Sequence, residues 1–297
     1  MTSYDGTKIG YQVMGRGRKV VVLCNGLGGN YLGWKPLYDR LSENYRCLCW
    51  DYRGILTSEP PKDLRHMTMI DHVRDLEAIL KKEKVKAPFS VVGWSMGVQL
   101  TLEYYRHQAK KISSLILLNG TYGYPFETAL NSPLSKYILP KVNELAQKVM
   151  QHAQPTLKPL AKKIINWQGF INLVVKLGLV HKNLNTTLFR AVAHSMVSTD
   201  LGMYHEIMKH LSQHSAGDVL SKVKVPTLVL AGDADVLTPM KTAEHMVDTI
   251  PHAEFFVVAG GTHYSILEFS DLVTLRMEHF LREHDQKKKA KKSSKSR

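Results

Sequence analysis

Phe89-Ser90-Val91-Val92-Gly93-Trp94-Ser95-Met96-Gly97-Val98 runs from a short apolar stretch, through a turn of small residues, into a segment with apolar residues at helical spacing. Its pentapeptide Gly93-Trp94-Ser95-Met96-Gly97 therefore sets a serine on a strand-to-helix turn, the context in which a G-x-S-x-G match carries weight. The glycines have a steric reason: a nucleophile on so tight a turn takes strained φ/ψ, and its neighbours must be nearly free of side chains. The helix start adds unpaired N–H groups and a positive dipole end, which favour negative charge developing at Ser95.

Working outward from the turn, short β-branched runs alternate with longer amphipathic segments. Strands are predicted at Thr7–Met14, Lys19–Cys24, Arg46–Asp51, Phe89–Trp94 and Ile112–Asn119, separated by helices at Leu32–Ser42, Met69–Lys84 and Met96–His107. Continuous apolar strands suit a parallel sheet covered on both faces. Between Gly120 and Val225 the alternation stops, and helical patterning is broken by Pro125, Pro133, Pro140, Pro155 and Pro159. Strand signal returns at Thr227–Gly232 and Ala253–Ala259, with helices over Met240–Thr249 and Tyr264–Glu283. The expected fold class is α/β: a mostly parallel central sheet flanked by helices, formed by residues 1–119 and 226–285. A helical cap is inserted at 120–225, and a disordered basic tail at 286–297 follows.

A serine hydroxyl is a poor nucleophile at neutral pH and needs a base, itself held in the right tautomer by a third group. Ala231-Gly232-Asp233-Ala234-Asp235 leaves a strand with two candidate acids, and Gly260-Gly261-Thr262-His263 leaves the last strand with a histidine in a glycine-rich loop. Both loops exit at strand C-termini, where sites in open α/β sheets lie. The order Ser, Asp, His is the one used by the α/β-hydrolase superfamily, and the chain resembles its branch of capped esterases, lactonases and lipase-like enzymes. That resemblance covers nearly everything outside the basic tail. It implies Asp235, three residues after Gly232, as the catalytic acid, leaving Asp233 to shape the turn or accept backbone N–H bonds. His263 falls at the family's late G-H loop, with Thr262 where glycine is common. Asn25-Gly26-Leu27-Gly28-Gly29 resembles the family's oxyanion loop with Asn25 in place of histidine, implying backbone N–H groups of Leu27 and Met96 as oxyanion donors. Asn25 and Trp94 are expected to border the substrate. Asp51-Tyr52-Arg53-Gly54 with Ser58 resembles a further family segment, where Arg53 reads as a buried fork for carbonyls or a carboxylate.

Other readings compete poorly. Gly26-Leu27-Gly28-Gly29 does not extend to G-x-G-x-x-G, because Tyr31 occupies the last position. His205, His210 and His214 lack the cysteines or the H-E-x-x-H pattern of a zinc site, so no metal and no cofactor are expected. The formal charge of +14 suggests nucleic acid until it is located: seven basic residues and no acidic ones fall in 287–297, half of the total. This reads as a solvated tail, with a weak anionic membrane-surface contact as the alternative and no specific nucleic-acid partner. Three cysteines, all in apolar runs, imply buried thiols rather than disulfides. The Met1–Gly6 start has no signal-peptide pattern and no apolar run reaches about 18 residues, so a cytoplasmic location is expected.

The expected activity is hydrolysis of a carboxylic ester with a small to medium hydrophobic acyl group. Lactonase, monoacylglycerol lipase, thioesterase and carbon–carbon hydrolase chemistry would use the same residues, and a non-catalytic binding module is the reading from another class. An aspartate-nucleophile mechanism is disfavoured by Ser95. The apolar segment 170–180 of the cap either packs on the core or roofs an acyl pocket.

Overall fold

The computed structural model describes residues 1–129 and 134–295, with the side chains at 135, 136, 140, 143, 146–156 and 286–295 outside the description. Its sheet has seven strands: β1 (Tyr11–Met14), β2 (Lys19–Cys24), β3 (Tyr45–Trp50), β4 (Phe89–Trp94), β5 (Ile112–Leu118), β6 (Thr227–Gly232) and β7 (Glu254–Val258). Their order is β1-β3-β2-β4-β5-β6-β7. All neighbours are parallel except β1, which pairs antiparallel with β3 from Tyr11↔Trp50 to Met14↔Cys47. The five inner strands β3, β2, β4, β5 and β6 are buried almost end to end, whereas edge strands β1 and β7 are half-buried. A strand covered on both faces needs apolar side chains at every position, which is why the inner strands read as unbroken runs. The predicted first strand is shorter than expected, and Thr2 and Lys8 form a single bridge ahead of it.

Three helices, α1 (Lys35–Leu41), α2 (Met69–Lys82) and α3 (Met96–Gln108), cross between the early strands. Between β5 and β6, the segment expected as a cap supplies α4 (Pro125–Thr128), α5 (Ser135–Asn166), α6 (Gln168–Lys176), α7 (Thr186–Ser198) and α8 (Leu201–Gln213). After β6 come α9 (Met240–Thr249), α10 (Ser265–Glu268) and α11 (Ser270–Lys295). Alternate strand residues point to opposite layers. Val22, Val91, Leu115 and Val229 pack with α2, α3 and α9, while Val21, Val92, Ile116 and Leu228 pack with α1 and α11. The cap joins both layers: Ile171, Val174, Phe189 and Val192 enter the second, and Ile207 and Leu211 the first.

Two expectations about helices change. Pro140, Pro155 and Pro159 do not end a helix, because the backbone of α5 runs through all three; Pro133 lies outside the described residues. A proline removes one hydrogen bond and bends the axis, and α5 is supported by packing on α4, α6, α7 and α8. The last helix also runs further than expected: the backbone of α11 continues to Lys295, and residues 296–297 lie outside the described residues. Lysine and alanine are good helix formers, and extending an existing helix needs no new nucleus. No helix of the described residues is long and apolar enough to cross a membrane.

Candidate active site

Ser95 sits between β4 and α3 with φ 58° and ψ −119°, a positive-φ backbone that persists only where the surroundings enforce it. Enforcement comes from both sides. Ser95 N donates to Leu118 O on β5 at 3.0 Å, and Ser95 O accepts from Val98 N at 3.0 Å in the first turn of α3. The flanking glycines pass close to other backbone: a Cβ on Gly93 would lie 2.3 Å from Gly97 O, and one on Gly97 would lie 2.1 Å from Cys24 O.

His263, in the loop after β7, places Nε2 2.8 Å from Ser95 Oγ and Nδ1 2.9 Å from Asp235 Oδ2. Trp94 Nε1 donates to His263 O at 3.0 Å, so the residue before the serine anchors the histidine loop. Next to it, Thr262 donates through N and Oγ1 to Glu268, at 2.8 and 2.6 Å. Asp235 follows β6 and is 4% exposed. Its Oδ1 accepts from the N–H groups of Leu237 (2.8 Å) and Thr238 (2.9 Å), and its Oδ2 from Thr238 Oγ1 (2.7 Å) and Asn119 Nδ2 (3.0 Å). Burial alone would raise the Asp235 pKa, but the charge and hydrogen bond of His263, with the bonds from Thr238 and Asn119, outweigh it and lower the pKa to about 2. At neutral pH this group is a carboxylate. Asp233 instead accepts from Gly260 N at 2.7 Å and ties the acid loop to the histidine loop.

The 25–30 loop passes directly beside the serine, and a Cβ on Gly26 would come within 3.2 Å of Ser95 Cβ. Leu27, Met96 and Trp94 line the same cavity as Ser95 and His263. Asn25 is a correction: it is buried at 1% exposure and is not among the cavity-lining residues. Its Nδ2 donates to Trp50 O at 2.7 Å and its Oδ1 accepts from Trp34 Nε1 at 2.8 Å, so it braces the loop from behind. An amide offers both a donor and an acceptor, which is what that inward-facing position uses.

The cavity holds about 290 Å³ and is walled mainly by apolar side chains, among them Leu27, Phe126, Leu139, Met196, Met208 and Leu237. Its cap side comes from α4, α5, α7 and α8. Segment 170–180 contributes nothing to this wall and takes the other role open to it: Ile171, Val174 and Val180 are buried in the core, while Leu173, Leu177 and Leu179 are exposed.

Arg53 is fully buried and forks onto Asp75, with Nε–Oδ2 at 2.9 Å and Nη2–Oδ1 at 2.6 Å; its Nη1 reaches Asp5 at 2.9 Å and His66 O at 2.6 Å. His214, at the end of α8, contacts Gln99 Oε1 at 2.8 Å and Glu103 Oε2 at 2.9 Å. Among the described residues, ligand-like spacing occurs in the cluster Glu254, Glu283 and His284; Glu254 there is bridged by Arg276 and His284. Sequence reasoning missed Asn119 and Thr238. Each carried a signal: Asn119 ends a buried strand beside the acid loop, and Thr238 stands where a hydroxyl can close an Asp-initiated turn.

Comparison with known proteins agrees with this fold. A family model for the alpha/beta hydrolase fold matches residues 19–270. A pimeloyl-[acyl-carrier protein] methyl ester esterase from Hamiltonella defensa is 23% identical over 264 residues, spanning 86% of this chain and 90% of its own. Among solved structures, an esterase from Exiguobacterium antarcticum has a TM-score of 0.77 at 21% identity, covering 95% of this chain and 98% of that one. The enol-lactonase from Burkholderia xenovorans LB400 has a TM-score of 0.72 at 22% identity, covering 94% and 98%.

Proposed function

Because the chain belongs to the alpha/beta hydrolase fold family, we propose that it is a serine hydrolase that cleaves carboxylic esters through an acyl-enzyme. Ser95 is the nucleophile, His263 the general base and Asp235 the group that orients His263. The observation that carries this reading is the unbroken hydrogen-bond chain from Ser95 Oγ through His263 to Asp235, at the floor of an apolar cavity. His263 Nε2 takes the proton as Ser95 Oγ attacks the ester carbonyl, and the imidazolium is stabilised by the Asp235 carboxylate. His263 then returns the proton to the departing alcohol, and water repeats the sequence to release the acid. Met96 N opens α3, where an N–H has no intrahelical acceptor, and with Leu27 N it receives the oxyanion. A cavity of about 290 Å³ lies at the small end of ligand sites and suits a small to medium acyl group.

Fluorophosphonate labelling tests the chemistry. The expected result is modification of Ser95 that disappears in Ser95→Ala, together with hydrolysis of p-nitrophenyl esters that peaks between butanoate and octanoate. Folded protein that takes no label would overturn the enzyme reading in favour of a binding module. Activity confined to acetate or to charged acyl groups would overturn the pocket assignment.

A further inference from the structure

One buried amide in the cavity has no work to do in this mechanism. Gln99 stands in the first turn of α3, four residues after Ser95, which immediately precedes the helix. It is fully buried, it lines the cavity, and its Nε2 has no hydrogen-bond partner among the described residues. Its Oε1 is occupied by His214 Nδ1 at 2.8 Å, and His214 Nε2 is held by Glu103 at 2.9 Å. Glu103 also pairs with Arg106 and His107. Burial pushes the Glu103 pKa up, but its bond to His214 and the neighbouring cations pull it below the ordinary value, so a carboxylate faces the ring. In this arrangement Oε1 is the amide atom that meets the His214 ring, and Nε2 is the one left without a partner. Two threonine hydroxyls of the same lining are committed: Thr121 Oγ1 donates to Gly123 O at 2.9 Å, and Thr238 Oγ1 to Asp235.

A buried donor without a partner is rare and unfavourable unless something else satisfies it. We propose that the Gln99 amide recognises the substrate by donating to an oxygen acceptor carried on the acyl chain, roughly one helical turn from the reacting carbonyl. The preferred class is then an oxo- or otherwise carbonyl-bearing acyl ester rather than a plain hydrocarbon one. This deepens the hydrolase reading and rests on it for the position of the acyl group. His214 and Glu103 position the amide, so the far end of α8 in the cap helps to set specificity.

The test compares p-nitrophenyl 5-oxohexanoate with p-nitrophenyl hexanoate. In the native protein the oxo ester should be favoured about tenfold in kcat/KM, the worth of one buried hydrogen bond. Gln99→Leu removes the donor, and Gln99→Glu keeps a partner for His214 while replacing the donor with an acceptor; in both, the ratio should fall to about one. A native ratio near one, or a ratio kept by both variants, would overturn the proposal. NMR titration of Ser95→Ala with the methyl esters of the two acids separates recognition from chemistry. Equal affinities overturn recognition by Gln99 even if hydrolysis stands. Tighter binding of the oxo ester, with no turnover or Ser95 labelling in the native protein, upholds recognition and sinks the hydrolase reading.

Discussion

The strand-end loops and the cap face the same cavity but are built to different tolerances. Ser95, Asp235 and His263 hang from β4, β6 and β7, each clamped by backbone or buried side-chain hydrogen bonds and each backed by a nearly dry sheet. In the cap, α5, α6 and the residue after α6 leave Ile138, Val142, Leu160, Ile164, Leu173 and Leu177 exposed, and only part of the cap reaches the cavity. Acyl transfer demands reacting groups held within fractions of an ångström, whereas a roof needs only a shape that admits one substrate class. On the proposed hydrolase reading, the core carries the chemistry and the cap the selection.

Substitutions can break or sharpen that division. Asp235→Asn should lower kcat about ten-thousand-fold with the fold intact, because an amide favours the wrong His263 tautomer; steady-state kinetics beside a circular-dichroism spectrum would show it. Arg53→Ala should destabilise by about 3–5 kcal/mol in urea unfolding, since Asp75, at zero exposure, loses its buried partner. Met208→Trp, on the cap wall, should shorten the preferred acyl chain and cost the longer p-nitrophenyl esters about 10–100-fold in kcat/KM, while Ser95 still takes a small fluorophosphonate. A loss of labelling there would mean that the two regions are not separable.

A smaller effect tests the core through pH. Burial, reinforced by the Arg53 charge and His210 against the opposing pull of Asp71, lowers the His72 pKa from 6.5 to about 3. Its ring nitrogens have no hydrogen-bond partner among the described residues. Unfolded chain therefore binds a proton that folded chain refuses, so stability is present in full above the unfolded pKa and declines as pH falls toward the folded one. His72→Phe should flatten that decline, read as thermal midpoints at neutral pH and at roughly pH 4. The least effect is expected from Leu177→Ser on the exposed cap face, within about 0.5 kcal/mol of the native stability.

Much of this division is legible in the chain. Unbroken runs such as Lys19–Cys24 and Ile112–Leu118 announce buried parallel strands, because both faces of such a strand are apolar. The turn around Ser95 is equally readable, since only glycine fits where Gly97 meets the Cys24 carbonyl. Less visible were the prolines of α5, whose local tendency to stop a helix is overridden by packing, and the antiparallel sense of β1, which depends on its partner β3.

Sequence by itself determined the sheet, the inserted cap and the order Ser95, Asp235, His263, because periodicity and turn chemistry are local and act through neighbours in the chain. Tertiary structure alone decided what lies between distant segments. It turned Asn25 inward as a brace, set Asn119 on Asp235 across 116 positions of sequence, and left the Gln99 amide facing the cavity with His214 behind it. Those outcomes depend on which polar atoms find partners after burial, and partners are assigned only when the layers have packed.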